Sequence, residues 1–255
     1  MNNHPTSRLS FFIFSALLVF TATSCHALWL KYSGVLEAKP TLKTISNGQK
    51  NVVYLALHHI GRKEYYADLT QKVDSLQQLN YVVFYEEITS AIVDNAELIT
   101  LSKKFRKIQG NFEAGNGYLD TINNKIYGSI EYDKKYTLVN QPDFFDMGID
   151  STTALNADVK LEELIGAFEE KNGTITLSEC DINTSLDAAY TCEPLRKQLK
   201  KDFKQNFVLG MRNENLAECI THNSADKIFV IYGAMHFKGL VKELKAIDQN
   251  WKVIK

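Results

Sequence analysis

Residues 51–61 read NVVYLALHHIG, an apolar, β-branched and aromatic run that stops at two histidines and a glycine. Residues 227–239 read KIFVIYGAMHFKG and repeat the arrangement: an apolar run, a histidine, then a glycine. Both runs are continuous rather than alternating, which marks strands covered on both faces. A segment of helical character and a second short apolar run follow each. Behind the first run, residues 63–79 place Tyr65, Tyr66, Leu69, Val73 and Leu76 at helical spacing, and residues 81–85, YVVFY, form a strand that stops at Glu86 and Glu87. Strand, helix and strand with short links make a parallel βαβ unit with a right-handed crossover. Behind the second run, residues 239–247 are amphipathic and residues 251–254 make a closing strand. The expected fold is therefore α/β: a mixed central sheet flanked by helices, with two βαβ-like units at the ends of one domain. His59 and His236 are expected to face each other across a single site.

Between these units the pattern is weaker. Residues 95–108 suit a helix whose basic end, Lys103, Lys104, Arg106 and Lys107, matches the negative end of the helix dipole. Residues 110–128 show no clear period and suit a lid or a meander, and residues 136–140 a short strand. Residues 153–159 lead into a helix over 160–168. Residues 186–221 read as two helices with a break near Gly210, Met211 and Arg212. Residues 49–255 then form a single domain, preceded by a tether over 28–48 with one edge strand.

The 255 residues suffice for one sizeable domain, and 29 basic against 30 acidic residues leave a net charge of −1. No basic field points to nucleic acid. At the N-terminus, Arg8 precedes an uncharged apolar run over residues 9–20, the length of a signal-peptide core rather than of a membrane span. Ala22-Thr23-Ser24-Cys25 resembles a bacterial lipoprotein processing site, with Cys25 as the lipidated residue. Cleavage after Ala27, or an uncleaved anchor extended through Leu28-Trp29-Leu30, are the alternatives for residues 1–27. Each implies export, with the domain facing the periplasm or the cell exterior. In that setting Cys180 and Cys192 are candidates for a disulfide-closed loop, and Cys219 is left as a small buried helix residue. No Cys-x-x-Cys pair suggests structural zinc.

Ligands of open α/β sheets bind beyond the carboxyl ends of the strands. His59, Glu86 and His236 occupy that position on three separate strands. Two imidazoles and a carboxylate can hold a divalent metal with open positions, or act without one, an imidazole serving as general base on water. Both uses point to hydrolysis. Arg212 is the candidate for stabilising an oxyanion, and His58 is expected to point away from His59.

At these residues the chain resembles the TraB/GumN family, whose members carry a Gly-x-x-His motif at each end of the domain. The second is intact as Gly233-Ala234-Met235-His236, followed by Gly239-Leu240; the first stands as Ala56-Leu57-His58-His59, with alanine in place of glycine. Glu86, Arg212-Asn213 and Ala157-Asp158 match the family's glutamate, Arg-Asn and Ala-Asp steps in order. The resemblance implies the erythromycin esterase/ChaN-like fold. For the best-described branch it implies a peptidase dependent on a divalent ion (Mn, Co or Zn) held by His59, Glu86 and His236. Arg212 then acts on the developing charge, and Asp158, Asn213 and Gly233 support the substrate or the catalytic groups. Other branches imply a non-catalytic peptide- or haem-binding lipoprotein. A metal-free esterase with a histidine base is the third alternative. The expected partners are a peptide or small-molecule substrate and, through the N-terminus, a membrane.

Overall fold

The computed structural model describes residue 30 and residues 32–110, 118–127 and 130–254. The leader with Cys25, and part of the segment over 110–128, lie outside the described residues.

A six-stranded mixed sheet forms the centre. Its strands are β1 (Leu42–Ser46), β2 (Asn51–Leu57), β4 (Val82–Tyr85), β9 (Leu155–Asn156), β10 (Lys227–Gly233) and β11 (Lys252–Val253), in the order β11-β1-β2-β10-β4-β9. From β2 to β9 neighbouring strands run parallel; β1 is antiparallel to both β2 and β11. Alternate side chains of β2 enter opposite cores. Val52 and Tyr54 pack with α6 (Arg212–His222) and α7 (Phe237–Ile247) through Leu216, Ile220, Leu240 and Leu244. Val53 and Leu55 pack with α1 (Lys63–Gln78) through Tyr65, Leu69 and Val73. Both faces of the strand are therefore dry, as its unbroken apolar run requires. The α/β class and the mixed sheet between helices agree with the sequence.

Three expectations change. The first unit is parallel, but its strands are not neighbours: β10 lies between β2 and β4. In the second, β11 sits at the far edge beyond β1, so β10, α7 and β11 do not form an adjacent pair. The segment read as a tether contributes β1, inside the sheet rather than at its edge, with Ile45 fully buried.

Around the sheet lie smaller pieces. The short β3 (Ile60–Arg62) directly follows the first histidines and pairs antiparallel with β8 (Leu138–Asn140). Within the segment read as a lid or meander, β5 (Leu119–Asp120) and β6 (Lys125–Ile126) form a hairpin extended by β7 (Ile130–Glu131). A satellite core joins α2 (Asn95–Gln109) and α3 (Leu161–Asn172), the latter longer than the periodicity suggests. Against them packs a helical run of α5 (Lys197–Asp202) and a π-helix (Phe203–Met211), which continues into α6. The expected break at residues 210–212 is a change of winding from π to α, not a gap. The disulfide between Cys180 and Cys192 is formed, closing a loop that holds the short α4 (Glu179–Asn183). Cys219, expected to be buried, is half-exposed on α6.

Candidate functional site

β2, β4 and β10 end at one side of the sheet, where an open cleft of about 300 Å³ is lined by His58, His59, Glu86, Arg212, Gly233 and His236 among others. The three residues chosen from strand ends thus share one cleft, although His59 and His236 do not occupy equivalent places. After Gly233 the chain turns through a short 3-10 segment, Ala234–His236, which buries the His236 ring. After Leu57 it bends at His59 before β3 begins at Ile60, leaving His59 exposed at the rim. There Gln141 holds it twice, through Nδ1 at 3.1 Å and through its own amide on the His59 carbonyl at 2.8 Å. His58 lies in the wall of the same cleft, half-buried, with its ring against Tyr65. The His59 ring packs on Tyr118 instead, so the two rings meet different neighbours while both residues line the cleft.

The deepest part of the site is an ionic cluster. Arg212, buried at the start of α6, donates from Nε to Asp158 Oδ1 at 2.7 Å and from Nη2 to Glu86 Oε1 at 2.6 Å, with a further Nη2 bond to Asp158 Oδ2. Burial opposes the charge on Arg212, but the bonds to Asp158 and the field of Glu86 outweigh it and raise its pKa, so it remains a cation. The second oxygen of Glu86 accepts the Gly233 amide. A Cβ on Gly233 would stand 3.1 Å from that oxygen, which explains why the residue before the turn is glycine.

His236 completes the cluster. Its Nδ1 lies 2.9 Å from Asn213 Oδ1, and its Nε2 lies 3.5 Å from Glu86 Oε1. Pairing with the Asn213 carbonyl assigns the proton to Nδ1 and leaves Nε2 as the free lone pair. Burial lowers the pKa of His236; Glu86 pulls it back up, while Arg212 and His59 push it down, so the ring is neutral near pH 7. Asn213 in turn lies flat on Gly239, where a Cβ would fall 2.0 Å from Nδ2. The glycine after each histidine is therefore legible in the second motif as the floor under Asn213.

Ala56 lies half-buried within β2. β2 keeps an unbroken parallel ladder with β10 through Ala56↔Tyr232 and Leu57↔Gly233, and the Tyr65 hydroxyl donates to the Ala56 carbonyl at 2.7 Å. Tyr66 does the same for the His58 carbonyl at 2.7 Å. Sequence reasoning missed these tyrosines and also Tyr54, whose hydroxyl donates to the Gly233 carbonyl at 2.7 Å. Burial, then the nearby Glu86, raises the Tyr54 pKa, so this donor stays protonated. Only their apolar spacing is visible in sequence, where they look like ordinary core residues. Among the described residues, no three His, Cys, Asp or Glu side chains converge closely enough to form a ready metal site.

These features define a class: a mixed α/β domain with a histidine–carboxylate–arginine cluster at the carboxyl ends of its parallel strands. Compared with protein-family models, curated proteins and solved structures, the chain matches none.

Proposed function

We propose that the chain is an exported hydrolase of the TraB/GumN type, with the erythromycin esterase/ChaN-like fold, that cleaves a peptide or amide bond in this cleft. The observation that carries the reading is the buried His236, its Nδ1 fixed by Asn213 and its Nε2 beside Glu86. Such an imidazole can take a proton from water and return it to a leaving amine. Arg212 bonds Asp158 and Glu86 through Nε and Nη2, which leaves Nη1 as the donor for the developing oxyanion. Asp158 holds the guanidinium in plane, and Glu86 couples it to the turn that carries His236.

The donor chemistry of His236, Glu86 and His59 suits a manganese, cobalt or zinc ion. His236 Nε2 and Glu86 Oε1 stand 3.5 Å apart, and His59, which does not converge with them in this structure, would have to join from the rim to complete the set. Such an ion would polarise the scissile carbonyl and acidify a bound water. Asn213 is then the partner that orients the ligating imidazole.

The test is peptide-bond cleavage by the purified full chain, with and without chelation and added metal, beside His236→Ala and Glu86→Gln. Both variants should lose at least about a hundredfold in rate, the usual worth of a positioned acid–base group. Cleavage by wild type no faster than by His236→Ala under every metal condition would end the proposal.

A further inference from the structure

The cleft does not end at its inner wall. Lys204 and Val208 line it and also line a second, wider concavity of about 710 Å³. Pro194 and Leu195 contribute an aliphatic surface there, and Lys197, Lys200, Lys201 and Lys204 surround it. These lysines fall at positions i, i+3, i+4 and i+7 of α5 and the first residues of the π-helix, so they share one helical face. The same run of helix leads through Val208 to Arg212 in the deep site.

The charges on this face differ from those elsewhere on the neighbouring helices. Lys104, Lys107 and Lys171 each meet a carboxylate, on Glu169, Asp181 and Asp202. Among the described residues, Lys197, Lys200, Lys201 and Lys204 have no such partner, in a chain whose net charge is only −1. Uncompensated like charges on one helix repel and are locally unfavourable; a polyanion in the groove would relieve them. The aliphatic surface, with the aromatic lining residue Phe203 buried, argues for a polypeptide over a nucleic acid, which binds single-stranded through exposed aromatic platforms.

We propose that this groove is the outer part of the substrate site and takes an acidic polypeptide segment. Its carboxylates meet Lys197, Lys201 and Lys204, its apolar side chains lie on Pro194 and Leu195, and the adjoining bond reaches Arg212 and His236 past Val208. The delivery step rests on the hydrolase reading; binding in the groove does not.

The experiment is fluorescence anisotropy on the full chain carrying His236→Ala, so that cleavage cannot intervene. The probes are a short fluorescein-labelled peptide rich in Glu and Leu, the same peptide with Gln for Glu, and a single-stranded oligonucleotide. The Glu peptide should bind at least about tenfold more tightly than the Gln peptide, a difference of about 1.4 kcal/mol, and added salt should shrink the gap. Lys197→Gln/Lys201→Gln/Lys204→Gln, all at exposed positions, should abolish the preference, and Lys204→Gln alone should reduce it. Equal binding of the two peptides, a preference that survives the triple variant, or oligonucleotide binding as tight as that of the Glu peptide would overturn the proposal. If the Glu preference is present while wild type cleaves nothing, the groove stands and the hydrolase reading fails.

Discussion

Gly239 acts on His236 through Asn213. A methyl group there must displace Asn213, and Asn213 sets both the tautomer and the orientation of His236. Gly239→Ala should therefore depress hydrolysis by about as much as removing a metal-orienting or base-orienting partner does, roughly 10- to 100-fold. Kinetics on Gly239→Ala beside Asn213→Ala check this; additive losses in the double variant would mean that the two do not act through one contact. Arg212 carries a different weight, because it neutralises two carboxylates that are nearly fully buried. Arg212→Met should cost about 3–5 kcal/mol, since it leaves those charges uncompensated. Urea unfolding measures it, and a loss below about 1 kcal/mol, the value of an exposed pair, would show the cluster to be solvated. Of these residues, Asp158 and Asn213 could be chosen from sequence only through the family resemblance. Nothing in their local spacing brings positions 86, 158, 212 and 236 together.

At the scale of elements, the loop closed by Cys180 and Cys192 is anchored from within. Asp181, fully buried, accepts bonds from Tyr190 at 2.6 Å and from the Ser178 hydroxyl at 2.7 Å, and it pairs with Lys107 of α2. Burial alone would raise its pKa; the bonds from Lys107, Tyr190 and Ser178 outweigh burial and hold the carboxyl well below the ordinary aspartate range. Its folded pKa is thus depressed. The stability it contributes is complete above the unfolded value of about 3.9 and is lost as pH falls below that. Urea midpoints between pH 5 and pH 2 should fall less steeply for Asp181→Asn than for wild type; parallel curves would remove Asp181 from the acid response. Opening the disulfide, whose cysteines are 12 positions apart, should cost about 3 kcal/mol by the loop-entropy estimate. Unfolding of Cys180→Ser/Cys192→Ser against wild type reads that value. The cysteine pair was legible from sequence because both lie in a short polar segment. The carboxylate inside the loop was not, since Asp181 looks like any solvated residue until α2 packs over it.

For the whole molecule, the sheet is closed on its antiparallel side by β1 and β11. Trp251, at the entry to β11, is almost completely buried among residues of β1, β2, α6 and α7. Its removal opens a cavity shared by several elements, and Trp251→Ala should lower stability by about 3–5 kcal/mol. A urea midpoint unchanged by the substitution would contradict the packing.

The amino-acid sequence by itself determined the α/β class, the buried strands and the ends at which His59, Glu86 and His236 appear. Continuous apolar runs and helical spacing are local signals, read over a few residues. Tertiary structure alone decided that β10 threads between β2 and β4, because strand order depends on long-range pairing that no local pattern encodes. It also decided that the two histidine motifs are unequal. The chain after Leu57 bends at His59 and pairs with β8 as β3, whereas after Gly233 it turns through a 3-10 segment under the hold of Glu86. One histidine is left at the rim and the other is buried, neutral, against a carboxylate.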